Sequence, residues 1–245
     1  MTRIYLDQTL APGECIELPH DAVRHVASVL RLRRGDELIV FNGRGGEYAA
    51  TIDSADRRRV SVTLGAHDPV ERESPLDVTL AQGLSRGERM DFSIQKAVEL
   101  GVKRIIPFAA QRSNVKLPTE RTARRLEHWR AIARHACEQC GRNTLPEIDP
   151  LCAFDAITEA AGFTLKVTLD PAGDDRLPGF ASARGSVLLI IGPEGGLDGS
   201  ELDWLGNAGC LRLPLGPRIL RTETATVAGL TMLQTCFGDF RVQPD

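Results

Sequence analysis

The sequence lacks both common phosphate-gripping signatures. No GxxxxGK[ST] occurs, which excludes a P-loop and its phosphate lysine. No GxGxxG occurs either, which argues against a dinucleotide fold. No apolar run reaches the roughly 18 residues of a membrane span, so no membrane association is expected. The opening MTRIYLDQTL has no apolar signal core, and a cytoplasmic protein is expected. Excess positive charge is absent too: the formal net charge is −3. That excludes capture of a polyanion by the charge of the whole molecule, but not by a local basic patch. No second CxxC accompanies Cys137 and Cys140, with His135 beside them, so a zinc site lacks ligands and no metal is expected. At helical spacing these thiols share a face with Ile132, Ala133 and Ala136, which makes them packing residues. The six cysteines (Cys15, Cys137, Cys140, Cys152, Cys210 and Cys236) lie mostly in apolar contexts, as reduced, buried thiols do. No internal repeat or low-complexity tract is visible.

What is present is a chain of 245 residues with 42% hydrophobic content, enough for a buried core. It reads in two parts. Residues 1–70 are β-rich: DELIVFNG and EYAATIDSA are short alternating segments around the turn NGRGG, and RRVSVTLG adds a strand. Before them, Val23, Val26, Ala27 and Leu30 recur at helical spacing. GAHDPVERESP is polar, aperiodic and contains two prolines, and reads as a linker. Residues 75–245 then alternate strands with helices. LDVTLAQGL, VKRIIPFAA, FTLKVTLD, SVLLIIG and CLRLPLG are strands. The helix GERMDFSIQKAVELG puts Met90, Ile94, Ala97 and Val98 on one face, with Gly101 as its C-terminal cap. A long helix ends at Gly141, and a last one starts near Thr222. This alternation predicts an α/β domain with a mainly parallel sheet, in which ligands sit beyond the carboxyl ends of the strands.

Two stretches stand out. In IGPEGGLDGSELDWL, three glycines follow a buried strand, and Asp198 with Glu201 forms a capping box for the next helix. Glycine is the ordinary solution to a tight turn, and it also admits a ligand against the backbone; the stretch alone leaves both readings open. In LPLGPRILRTETATVAGL, an apolar loop carries Arg218 and Arg221 into a helix whose first turn holds Glu223. Glu223 suits the positive end of the helix dipole. The loop's backbone suits a flat heterocycle, and its arginines suit a phosphate or carboxylate.

Together, IGPEGG and LGPRILRTETA resemble the C-terminal signature of the SPOUT methyltransferases, and more narrowly of the RsmE-type 16S ribosomal RNA (uracil-N3)-methyltransferases. RHVASVLRLRRGD, QKAVELGVKRIIPF and EQCGRNTLPEI are similar to the same family, so the resemblance spans nearly the whole chain in order. It implies an α/β fold: a small PUA-like β-barrel RNA-binding domain over 1–70, then a SPOUT domain over 75–245 whose parallel sheet forms a trefoil knot. It implies S-adenosylmethionine as cofactor, 16S rRNA within the assembled 30S subunit as substrate, and a homodimer. Leu169, Gly192, Leu213 and Leu220 match positions lining the family's cofactor pocket, with Gly196, Leu215, Gly216 and Ile219 as neighbours.

Methyl transfer from a sulfonium is a displacement on carbon, so positioning matters. Uracil N3 must also lose a proton. The matched motifs offer Arg221, Glu194 and Glu223 as catalytic residues. Arginine stays protonated and suits an oxyanion; the residues do not select the base, and capping explains each acid equally well. Arg24 and Arg31, in a basic run with His25, Arg33 and Arg34, are expected to contact RNA phosphates, as are Arg142 and Asn143 beyond the long helix. RTARRLEHWRAIAR adds further positive charge, which a solvated helix face explains as well. An RNA-binding module with an inactive domain, or another nucleotide-binding α/β enzyme, are the competing readings; the two loop motifs oppose the first and the missing phosphate motifs the second.

Overall fold

A computed structural model describes residues 1–113, 119–159, 162–177 and 185–240. The side chain of Arg121, part of the second basic run, lies outside the described residues. The chain divides into two compact units, Met1–Glu73 with Cys137–Leu145, and Ser74–Ala136 with Pro146–Asp245.

The first unit contains β1 (Arg3–Tyr5), β2 (Cys15–Glu17), α1 (His20–Val23), β3 (Glu37–Phe41), β4 (Glu47–Ala55) and β5 (Val60–Asp68). The strands are hydrogen-bonded in the order β1-β3-β4-β5-β2, with β1 and β2 at the ends. All pairings are antiparallel except β1 with β3. Alternation along β3, β4 and β5 sends Leu38, Val40, Ala50, Ile52, Val60, Val62 and Leu64 to one core. The predicted helix is present but is mostly π-helical: α1 runs into a wider turn over Arg24–Val29, and the Leu30 N–H donates to the His25 carbonyl at 3.0 Å. Val23 and Val26 anchor it. Arg31 follows at φ +57°, a left-handed conformation that a side chain rarely adopts.

The stretch 65–75 is not a free linker. Its first residues complete β5 through Asp68, and Arg72 and Glu73 are tied down by charge pairing. Arg72 meets Glu47 at 3.1 Å and Glu73 meets Arg142 at 2.6 Å. The return segment Cys137–Leu145 is held in the same unit. Glu138 accepts the Tyr5 N–H at 3.0 Å, the Asn143 amide donates to the Val70 carbonyl at 2.7 Å, and the Arg3 guanidinium donates to the Asn143 side-chain carbonyl. Polar composition predicted a spacer, but opposite charges across the unit made it structure.

The second unit contains β6 (Asp77–Gly83), α2 (Glu88–Glu99), β7 (Arg104–Ala109), most of α3 (Thr119–Cys140), β8 (Glu147–Ile148), β9 (Cys152–Ala153), α4 (Ala156–Glu159), β10 (Leu165–Leu169), β11 (Ser186–Ile191), α5 (Gly199–Asn207), β12 (Leu211–Leu213) and α6 (Thr222–Phe237). Its sheet runs β12-β10-β11-β6-β7-β8, with β9 also on β7, and every pairing is parallel. The central strands β6 and β11 are almost wholly buried; β11 reads as a continuous apolar run rather than an alternation, while β6 also buries Thr79 and Gln82. Met90, Ile94, Ala97 and Val98 of α2 are buried as expected, and α2 packs on α6. The chain places β11 between β10 and β6, then carries β12 to the far side of β10. That crossover brings the loop after β12 back toward the carboxyl ends of β10 and β11.

Among the described residues, no helix is long and apolar enough to cross a membrane, and no cluster of His, Cys, Asp or Glu could hold a metal ion. None of the six cysteines is in a disulfide. Cys137 and Cys210 are buried, and burial pushes each thiol up to about 12. Cys15, by contrast, is exposed.

Candidate active site

The carboxyl ends of β10 and β11 open into a cleft of about 560 Å³. Its apolar lining is Leu169, Ile191, Leu197, Leu202, Ile219 and Leu220. Its floor is the turn Gly192–Gly196, and its far wall is the start of α6, from Arg221 to Ala225. Three interactions fix this geometry. The Thr222 hydroxyl donates to the Gly192 carbonyl at 2.7 Å and accepts from the Gln82 amide at 3.0 Å. The Thr226 hydroxyl donates to the Gln82 side-chain oxygen at 2.6 Å. Asp198 and Glu201 form the expected capping box, which starts α5 directly after the turn.

Backbone approaches backbone closely here. A Cβ on Gly83, at the end of β6, would stand 2.5 Å from the Pro193 nitrogen. A Cβ on Gly192 would stand 3.1 Å from the Leu197 nitrogen and 3.2 Å from the Gly196 carbonyl carbon. The glycines therefore make the turn compact and leave its outer face open to the cleft.

The charges are arranged by pairing. Asp170 is neutralised by Arg212 at 2.6 Å. Glu194 accepts the Arg86 N–H at 2.9 Å and the Arg89 guanidinium at 3.1 Å through one carboxylate oxygen. Burial pushes the Glu194 carboxyl up, but these donors and its own backbone N–H outweigh burial and hold it below the ordinary range. The other oxygen of Glu194 is buried with no hydrogen-bond partner, and so is one oxygen of Glu223. Two orphaned carboxylate oxygens in one cleft are ready acceptors for a donor-bearing ligand. Arg221 is exposed at the rim, and Ile219 is 86% exposed beside it.

Of the expected cofactor residues, Leu169, Gly192, Gly196, Ile219 and Leu220 line the cleft. Leu213, Leu215 and Gly216 do not. Leu213 is buried in β12, opposite Leu169, and its carbonyl accepts the Asp170 N–H at 3.0 Å; it supports the wall from behind. Glu194, Arg221 and Glu223 all belong to the cleft. Arg24 and Arg31 are exposed on the first unit. Arg142 and Asn143 are not presented as a phosphate site. Arg142 is 3% exposed and bonds Glu73 at 2.6 and 2.9 Å, and Asn143 is fully buried. Burial would lower the arginine's pKa, but the Glu73 carboxylate raises it further, so the pair stays ionised. Sequence reasoning missed Gln82, Arg89 and Arg112, which lie within about 30 residues of one another but more than 75 residues before the glycine turn and α6; SRGER just past a strand end was the one local hint.

With this geometry in view, relatedness is informative. Residues 72–234 match the RNA methyltransferase domain family and residues 18–65 the RNA methyltransferase PUA domain. The chain is 33% identical to ribosomal RNA small subunit methyltransferase E of Buchnera aphidicola subsp. Schizaphis graminum, with 97% of each chain covered. Its identity to the protein of the same name from Bacillus subtilis is 31%, covering 95% of this chain and 96% of that one. The crystal structure of a ribosomal RNA small subunit methyltransferase E from Neisseria gonorrhoeae, bound to S-adenosyl methionine, superimposes with a TM-score of 0.92 at 37% identity, over 98% of this chain and 99% of that one. The likeness runs along nearly the full length of these relatives, and the chain belongs to the RNA methyltransferase family.

Proposed function

We propose that this protein is an S-adenosylmethionine-dependent methyltransferase acting on N3 of a uridine in 16S ribosomal RNA, within the 30S subunit. The observation that carries the reading is the cleft itself: an apolar slot, a compact glycine floor and two buried carboxylate oxygens without partners. The residues fit the donor. Leu169, Leu197, Leu202 and Leu220 suit an adenine, and backbone groups of the turn suit its edges. Bound S-adenosylmethionine supplies an electrophilic methyl carbon on a cationic sulfur.

The chain's own residues then have distinct tasks. Glu194 is engaged by Arg86 and Arg89, so it is a weak base and serves to shape the turn. The free oxygen of Glu223 is the better acceptor for the N3 proton. Arg221, at the start of the same helix, stabilises negative charge on the uracil oxygens as that proton leaves. The apolar wall excludes water from the reacting atoms.

The same reading covers the rest of the molecule. The domain is a trefoil-knotted SPOUT domain in this reading, which the passage of β12 beyond β10 and the return of Thr222 to Gly192 support. Arg24 and Arg31 of the PUA-like unit contact RNA phosphates, the enzyme works as a homodimer in the cytoplasm, and Arg142 and Asn143 stiffen the PUA-like unit. The test is to incubate the protein and S-adenosylmethionine with small subunits from cells lacking it, and to map the modified nucleotide by mass spectrometry. One methyl group at N3 of a single uridine is expected. No transfer, or transfer to another atom, would overturn the assignment.

A further inference from the structure

We infer that Arg89 and Arg112 form a phosphate clamp at the mouth of the cleft, gripping the RNA backbone beside the target uridine. The inference rests on the methyltransferase reading and adds an RNA site on the catalytic unit itself. Both arginines line the cleft, although one comes from α2 and the other from the loop after β7. The turn brings them together through consecutive residues. Glu194 holds the Arg89 guanidinium at 3.1 Å. Gly195 lies under Arg112 so closely that a Cβ there would stand 2.9 Å from the Arg112 carbonyl oxygen and 3.0 Å from its Cβ. Consecutive Cα atoms are about 3.8 Å apart, so two neighbouring residues of the turn that floors the cleft hold the head of Arg89 and the backbone of Arg112.

Their state suits phosphate. Arg112 is exposed, and among the described residues it forms no ion pair and makes one side-chain hydrogen bond, to the Leu197 carbonyl, long at 3.5 Å. Asp198, the nearby acid, is committed to the capping box of α5. Arg89 is 43% exposed, and an ion pair this open to water is exchanged cheaply for another anion. Two forked guanidiniums at one rim match the tetrahedral oxygens of a phosphodiester. An acidic protein thereby gains local cationic character where the acceptor base must enter.

The experiment uses the full chain carrying Arg112→Gln or Arg89→Gln, with thermal melting to confirm folding. Small-subunit RNA binding is measured against salt, and S-adenosylmethionine affinity by calorimetry. Each variant should flatten the slope of log affinity against log salt by about 0.7 to 0.9, the loss of one counterion-releasing contact. Cofactor affinity should stay within about twofold of wild type in Arg112→Gln, because that contact is made with the RNA; Arg89→Gln also releases Glu194, so it is judged by its salt slope. An unchanged slope in both variants would overturn the clamp. Loss of cofactor affinity with the slope kept would also overturn it, by assigning the arginines to the donor's carboxylate. If the wild-type protein binds the RNA but transfers no methyl group, the methyltransferase reading fails, and the salt slopes still judge the clamp.

Discussion

The Thr222 hydroxyl donates to the Gly192 carbonyl at 2.7 Å while accepting from Gln82, so one buried side chain joins the two loop motifs and the end of β6. Thr222→Val keeps the shape but strands a buried carbonyl and an amide. A loss of about 1–3 kcal/mol in denaturant unfolding is expected, together with weaker S-adenosylmethionine binding. Wild-type values for both would show that the motifs are held together by other means.

Gly192→Val addresses the floor of the cleft. The first added carbon already meets Leu197 and Gly196 at 3.1 and 3.2 Å, and the branches must project toward the slot. Calorimetry on the folded variant should detect no cofactor binding. Normal affinity would move the donor away from this turn.

Glu223→Gln removes the proposed proton acceptor while conserving volume. Single-turnover methylation should fall by about 10²–10⁴-fold with cofactor affinity retained. Glu194→Gln should cost much less in rate, because that carboxylate is already occupied by Arg86 and Arg89. Full turnover by Glu223→Gln removes it from the mechanism.

Arg142→Ala tests a residue whose burial changed its expected role. Breaking one side of a buried ion pair costs about 3–5 kcal/mol, since Glu73 is left with an uncompensated charge. Thermal melting should drop by about 6–20 °C. A variant that melts normally but loses RNA affinity would restore the phosphate role.

Glu47 gives a pH prediction. Burial pushes its carboxyl up, but hydrogen bonds from Arg3, Arg72 and Asn143 outweigh burial and hold it below the ordinary range. A lowered folded pKa means that the pairing stabilises the fold above the unfolded carboxyl's pKa, and that this contribution fades as pH falls through the folded value. Glu47→Gln should therefore lower stability at neutral pH and flatten its decline below about pH 4.5. Urea midpoints across that range would check it.

The local rules that shaped this chain were written locally. Asp198 and Glu201 stand three apart and cap α5 as three-residue spacing dictates; Met90, Ile94, Ala97 and Val98 declare the buried face of α2. The glycine turn and the apolar loop stood out as candidates for a ligand site because both follow strand ends. What spacing does not encode is which strand ends meet. Arg89, Arg112 and Gln82 join the site through a sheet whose order is not the chain order. Arg142 looked like a surface cation because its acid partner, Glu73, sits in a stretch that composition marked as spacer. Burial of a charge depends on a distant opposite charge, and no window of residues shows that.

The first unit is assembled from two pieces of chain, and Cys137–Leu145 arrives long after Glu73. During synthesis at about 5–20 residues per second, the early strands wait several seconds for Glu138, Arg142 and Asn143. Until then Glu73 and the Val70 carbonyl lack their native partners, and Arg3 has Glu47 but not Asn143. The amino-terminal piece is thus an unfinished domain on the ribosome, exposed to chaperones and proteases until the catalytic half is well under way.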